Sequence, residues 1–218
     1  MPQGSLSPLQ AKILVALAGF EPPWTLTGGG ALALHTAHRT TRDLDLFWRG
    51  RTTISTVVNG VKQKLEAGGL EASLLQDAGS FFRFAVRDGA ESTVLDLVAD
   101  PVANITAPEI LRVHGHEIEV DTRHEILVNK LVAMLGRSEL RDLQDIQVLL
   151  EGGGDLSLAV QQAPRKDGGF SPMTLAWLLR GFAIAEVATS AGWDHGQVQR
   201  LVAFRDELVL RITDLARP

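Results

Sequence analysis

A chain of 218 residues with a formal net charge of −5 and 45% hydrophobic residues has room for one large domain or two small ones, and enough apolar content to bury a core. It contains no cysteine and no tyrosine, which excludes disulfides, thiolate metal sites, a cysteine nucleophile and a tyrosine acid, base or nucleophile. Of its 21 basic residues only five are lysine, and four arginines (Arg39, Arg42, Arg49, Arg51) crowd the segment around Asp43 and Asp45, so an acidic average conceals a basic locality.

The first residues, Met-Pro-Gln-Gly-Ser, lack the basic-then-apolar pattern of a targeting segment. Leu9, Ile13, Ala16 and Leu17 recur at helical spacing and predict a helix over 7–19, with Ser7 as N-cap and Gly19 as its end. The apolar run from Ile13 to Phe20 is far short of the ~20 residues of a membrane helix. A soluble, cytoplasmic protein with no membrane partner is expected. Glu21-Pro22-Pro23 breaks the chain. A short strand over Trp24–Thr27, a turn at Gly28-Gly29-Gly30 and a short helix from Ala31 to Ala37 follow. Asp43-Leu44-Asp45-Leu46-Phe47 alternates with period two, placing both aspartates on one face of a strand and both leucines on the other.

Residues 52–67 predict an amphipathic helix closed by Gly68-Gly69. Strands are expected over 70–76, 81–86 and 92–98, then a hairpin over 112–120 around Gly115. From Arg123 the texture turns helical: helices over 123–136 and 138–150, loops at 152–154 and 163–171, and helices over 172–190 and 195–215. The expected division is an α/β domain over 1–121 and a helical domain over 122–218.

The chemistry concentrates where the glycine run opens a helix and the Asp-x-Asp strand starts 15 residues after Gly28. Glycines let a backbone approach a phosphate closely, and a helix N-terminus offers N–H groups to an anion. Two carboxylates on one face suit Mg²⁺, which binds through one or two carboxylates plus substrate phosphates. A third carboxylate would complete a two-metal site. Asp96, mid-strand in Thr93-Val94-Leu95-Asp96-Leu97-Val98, is the candidate: apolar neighbours on both sides imply either a metal ligand or a buried ion pair.

Glycines, helix and Asp-x-Asp in this order resemble the DNA polymerase beta-like nucleotidyltransferase superfamily. The fuller pattern, Gly28-Gly29-x-Ala31-Leu32 through His38-Arg39-x-Thr41-x-Asp43-Leu44-Asp45-Leu46-Phe47, resembles the AbiEii/AbiGii toxin family of nucleotidyltransferases. Asn129-Lys130-Leu131-Val132-Ala133-Met134 with Arg137 is similar to that family's lysine motif, and Arg141-Asp142-Leu143-Gln144-Asp145-Ile146 to its Arg-Asp-x-x-Asp motif. The resemblance covers roughly residues 25 to 150, and Gly30 stands where a hydroxyl or another small residue is expected.

The resemblance implies an α+β, polymerase-beta-like fold, a mixed sheet with flanking helices, plus a C-terminal helical domain. It implies transfer of a nucleoside monophosphate from a nucleoside triphosphate to an acceptor. The implied acceptor is RNA, such as the acceptor end of tRNA, and the implied setting is the toxin of a toxin–antitoxin pair with an antitoxin partner. Asp43, Asp45 and Asp96 would hold Mg²⁺, with Mn²⁺ as the alternative ion, and Asp96 would be the general base. Gly28, Gly29, Arg39 and Lys130 would bind the triphosphate, and Asp142 would orient Lys130 or touch the nucleotide. Two other readings stand beside this one: a small-molecule, antibiotic-modifying nucleotidyltransferase, whose acidic surface suits a cationic drug, and a non-catalytic relative that binds nucleotide or protein.

Helical geometry at ~100° per residue puts Lys130 on the side of Ile126, Leu127 and Met134, where it must reach out or meet an anion. On the next helix Leu143, Ile146 and Leu150 define the expected buried side. Asp142 flanks it, and Asp145 points away as a surface partner for Arg137 or Arg141. Arg42 reads as an ordinary surface arginine. His114-Gly115-His116 reads as a hairpin turn rather than a zinc site, and Trp177, Leu178 and Phe182 as core.

Overall fold

Ser7 and Gln10 start the first helix with reciprocal bonds. The Ser7 Oγ accepts from the Gln10 N–H at 3.1 Å, and the Gln10 Oε1 accepts from the Ser7 N–H at 2.9 Å. The computed structural model describes residues 6–36 and 38–217. The expectations for the first five residues and for Ala37 lie outside the described residues. The chain divides into two compact units, Met1–Thr122 and Arg123–Pro218.

The first unit contains α1 (Pro8–Leu17), β1 (Thr25–Thr27), α2 (Gly28–Thr36), β2 (Asp43–Arg49), α3 (Val58–Ala67), β3 (Glu71–Asp77), β4 (Phe81–Asp88), β5 (Glu91–Asp100), β6 (Glu109–Val113) and β7 (His116–Val120). Its seven strands form one mixed sheet in the order β3-β4-β5-β2-β1-β7-β6. β2 pairs parallel with β5, β1 pairs parallel with β7, and the other pairs are antiparallel. Along β2 the alternation holds: Leu44, Leu46 and Trp48 are buried, while Asp43, Asp45, Phe47 and Arg49 share the other, half-buried face.

Several boundaries differ from the sequence reading. The three glycines are the first turn of α2 rather than a turn before it. A Cβ on Gly30 would stand 3.1 Å from both Leu26 Cδ1 and Leu44 Cδ2, so its smallness lets α2 lie close against the sheet. The helix expected over 52–67 begins only at Val58, because the Thr53 and Ser55 hydroxyls donate to the Gly79 carbonyl at 2.9 and 3.4 Å and hold that stretch in a loop. β6 and β7 form the hairpin, whose turn residues His114 and Gly115 have φ of 48° and 88°, both positive as a tight two-residue turn requires. His114 and His116 are exposed.

The second unit contains α4 (Arg123–Gly136), α5 (Leu140–Glu151), α6 (Leu156–Gln162), a 3₁₀ turn (Ala163–Arg165), α7 (Pro172–Gly181), α8 (Ile184–Ser190) and α9 (His195–Leu215). The sequence reading missed α6, a short helix capped by Asp155. The single helix expected over 172–190 is two. Arg205 of α9 donates to the carbonyls of Leu179 and Phe182 at 3.1 and 3.0 Å, which satisfies the end of α7 and stops it. Phe182 is buried, but Trp177 is 71% exposed, so that residue does not belong to the core stripe expected of it. Among the described residues no helix is long and apolar enough to cross a membrane.

Candidate active site

The sheet of the first unit sets four side chains in one row. Thr27 of β1 is in register with Asp45 of β2, Asp45 with Asp96 of β5, and Asp96 with Arg83 of β4. Asp43 lies two residues before Asp45 on the same face. The Thr41 hydroxyl, placed to donate to the Asp43 carbonyl oxygen at 3.0 Å, also lies 3.2 Å from its Oδ1. Gln10 reaches this corner from α1, donating through Nε2 to the Thr41 carbonyl at 3.2 Å and the Thr93 hydroxyl at 3.4 Å. Thr93 in turn donates to the Arg42 carbonyl at 3.1 Å. These bonds tie the start of β2 to β5 beside Asp43.

Gly28 sits beside Asp45 for a steric reason. Its φ is +61°, and a Cβ built there would stand 2.5 Å from the Asp45 Oδ2. Only glycine combines that backbone with that closeness. At Gly29 a Cβ would meet the Thr41 Oγ1 at 2.9 Å and the Arg39 Nη2 at 3.2 Å, so the Arg39 guanidinium lies at the N-terminal turn of α2. The structure therefore brings Gly28, Gly29, Arg39, Asp43, Asp45 and Asp96 into one neighbourhood.

Asp96 is 5% exposed and forked by Arg83, whose Nε donates to Oδ1 at 2.8 Å and whose Nη2 donates to Oδ2 at 2.7 Å. Of the two readings left open for this buried aspartate, the ion pair is the arrangement present. The bond to Asp96 and then its charge raise the Arg83 pKa, with smaller contributions from Asp43 and Asp45. Among the described residues no group of three or more His, Asp or Glu is arranged to hold a metal ion. Asp43 and Asp45 nevertheless fit one: they are hard oxygen donors on one face, and a Cβ would fill the space Gly28 leaves beside Asp45. Asp96, in register with Asp45, has each of its oxygens accepting one hydrogen bond from Arg83.

A second network ties β1, β2 and β7. Asp121 is fully buried. Its Oδ2 accepts from the Thr27 hydroxyl at 2.5 Å and Arg49 Nη2 at 3.0 Å, and its Oδ1 accepts from Asn104 Nδ2 at 3.1 Å. Arg49 also pairs with Asp100 and lies 4.6 Å over the Phe47 ring. It is therefore committed to the fold, whereas Arg42 and Arg51 of the same cluster are exposed.

In the second unit Lys130 of α4 is 8% exposed and meets Asp142 Oδ1 at 2.5 Å and Asp145 Oδ2 at 2.8 Å on α5. Arg137 adds Nε to Asp142 Oδ2 at 2.8 Å. Burial, the largest single influence, pulls the Lys130 pKa down, but Asp145 and Asp142 together outweigh it and the net shift is upward. Asp145 is not the surface residue expected: it is 0% exposed, against 1% for Asp142. The buried stripe of α5 runs through Asp142, Leu143, Asp145, Ile146 and Leu149 rather than toward Leu150.

Sequence reasoning missed Arg83, Gln10, Thr93 and Asp121. Two of them carried a signal: Asp121, acidic directly after the apolar Val120 at a strand end, and Arg83, flanked by Phe82 and Phe84.

No curated protein matches the chain by sequence. Among solved structures, MenT4, a nucleotidyltransferase toxin from Mycobacterium tuberculosis H37Rv, is similar with a TM-score of 0.61 at 17% identity, covering 95% of this chain and 85% of that one. JHP933 from Helicobacter pylori gives 0.56 at 21%, covering 97% and 94%. An antigenic nucleotidyltransferase-like protein from Paracoccidioides brasiliensis gives 0.51 at 18%, covering 91% and 94%. At these identities the likeness is one of fold: a mixed sheet with flanking helices and a helical C-terminal region. The sequence model described as "Nucleotidyl transferase AbiEii toxin, Type IV TA system" matches residues 12–197, most of the chain and both the glycine and lysine motifs. The chain therefore belongs to the AbiEii nucleotidyl transferase toxin family.

Proposed function

We propose that the protein is a Mg²⁺-dependent enzyme that transfers a nucleoside monophosphate from a nucleoside triphosphate to RNA, such as the acceptor end of tRNA, as the toxin paired with an antitoxin. The observation that carries the reading is the pair Asp43 and Asp45 on one open sheet face, with Gly28 shaped to leave room beside Asp45. Asp43 and Asp45 would hold Mg²⁺, or Mn²⁺ in its place, and Asp96 would be the third ligand. When bound, the ion orients the triphosphate and lowers the pKa of the acceptor hydroxyl. Gly28 and Gly29 offer backbone N–H groups at the start of α2 to the phosphates, and Arg39 adds its charge at that turn. Asp96 would take the acceptor proton as general base, which requires an oxygen that Arg83 now holds. Lys130 would neutralise phosphate charge, and Asp142, bonded to it, is its positioning residue. Arg42 and Arg51 are the exposed cations left to meet an RNA backbone, so binding should weaken steeply with salt.

The test is incubation of the protein with labelled nucleoside triphosphates, Mg²⁺ and total RNA. Label on RNA with release of pyrophosphate is expected. Asp43→Ala and Asp45→Ala should each lower transfer at least ~100-fold, the scale for removing one group that stabilises transition-state charge, with the melting temperature preserved. Unchanged transfer in either variant overturns the site. Label on a small acceptor and none on RNA overturns the acceptor class.

A further inference from the structure

Asp96 looks directly across the β2–β5 register at Asp45. A carboxylate buried beside another one needs a compensating cation at hand. Arg83 supplies that cation through a bidentate fork, the strongest geometry available to the pair. The two partners differ in how firmly the fold holds them. The Asp96 side chain is 7% exposed and sits mid-strand, while the Arg83 side chain is 43% exposed. Its remaining contact is the Phe81 ring at 5.4 Å, and its Nη1 donates no hydrogen bond among the described residues. The anion is part of the sheet; the cation is a long arm at its surface, free to turn away without disturbing any strand pairing.

We propose that Arg83 is an exchangeable stand-in for a divalent cation at Asp96. It holds both carboxylate oxygens while no cation is bound and releases them when one binds at Asp43 and Asp45. This rests on the metal-dependent reading above. It makes Arg83 a positioning residue: it holds a buried carboxylate turned beside its neighbours until a stronger charge replaces it. Arg83 and the cation then compete for the same two oxygens. Removing the guanidinium must tighten cation binding, the reverse of what a residue that merely shapes the site would do.

The test is titration of Mn²⁺ into the nucleotide-free full chain, read by calorimetry and by the paramagnetic resonance signal of free Mn²⁺. Arg83→Met should tighten Mn²⁺ binding by at least about tenfold, the scale of one charged hydrogen bond that no longer has to be broken. Arg83→Lys keeps a charge but loses the fork, so its affinity should lie between. In an Asp96→Asn background the Arg83→Met change should have no effect on affinity. Wild-type or weaker affinity in Arg83→Met overturns the proposal, and if that variant does not fold, wild-type or weaker affinity in Arg83→Lys does so. Mn²⁺ binding by the wild type with no response to either variant removes only the role of Arg83. No binding by any chain, with or without triphosphate, removes the metal reading and this inference with it.

Discussion

The two units each gather carboxylates around a cation, and they do so in opposite ways. In the sheet unit Asp43 and Asp45 are half-buried, Asp96 is buried, and its cation Arg83 is nearly half exposed. In the helical unit Lys130, Asp142 and Asp145 are all buried, and one ammonium bridges two carboxylates from α4 to α5. A cluster whose cation faces solvent can exchange it for a ligand at small cost. A cluster packed between two helices is held together by its own charges, because a buried member deprived of its partners is an uncompensated ion in a poor solvent. The contrast is one of exposure: in the sheet unit the cation is reached from solvent, and in the helical unit the ammonium is packed between two helices.

The sharpest way to break the comparison is at Lys130. Lys130→Met should destabilise the protein by about 3 kcal/mol, since it takes the ammonium away from buried Asp145 and Asp142, the latter keeping Arg137. Denaturant unfolding measures this, and a loss below about 1 kcal/mol would mean the cluster is not held together by its own charges. The same pair has a pH signature. The native Lys130 pKa is raised, so its contribution is complete below the unfolded lysine value and is lost as pH rises through the higher native one. A wild-type melting curve should therefore lose stability above pH ~10.4 more steeply than Lys130→Met, which has no such proton to lose.

A smaller effect tests the cradle on the sheet. Gly28→Ala places a Cβ at φ +61° and 2.5 Å from the Asp45 Oδ2. It should cost about 1–2 kcal/mol of stability and, by turning Asp45, lower nucleotide transfer on the order of 10²-fold. Steady-state kinetics with a parallel melt would show activity falling further than the fold explains. Equal loss of both would reduce Gly28 to a turn residue. The smallest effect belongs to an ion pair outside both clusters. Lys12 and Asp88 meet at 2.5 Å with side chains 41% and 43% exposed, and Lys12→Ala should change stability by no more than ~1 kcal/mol. A loss comparable to that of Lys130→Met would remove burial as the reason the two clusters differ.

Much of the sheet unit is legible in the sequence because its signals are local. Ser7 caps α1, Asp43 to Phe47 alternates along one strand, and His114-Gly115 turns one hairpin. The glycine run is legible as a motif, but its placement inside α2, and the reason for Gly30, depend on Leu26 and Leu44 packing beneath it. Arg83, between Phe82 and Phe84, shows the same apolar flanks as Asp96, but that the two are partners is not legible until β4 pairs with β5 in the register that sets one against the other. In the helical unit, Asp145 reads as a surface charge because a carboxylate at a buried position is improbable without its partner, and the partner lies on another helix. The split between α7 and α8 is likewise written by Arg205, far along the chain.

The sequence by itself determined which residue types stand together on one element: an acidic strand, a glycine-opened helix and a lysine on an apolar helix face. These follow from side-chain type and from the period of one element, which a linear chain displays directly. Tertiary structure alone decided how each charge is compensated. Asp96 is held by an exposed arginine from a neighbouring strand, Asp145 by a buried lysine from a neighbouring helix. Compensation depends on distance and on exclusion of water, and both are properties of packing rather than of order along the chain.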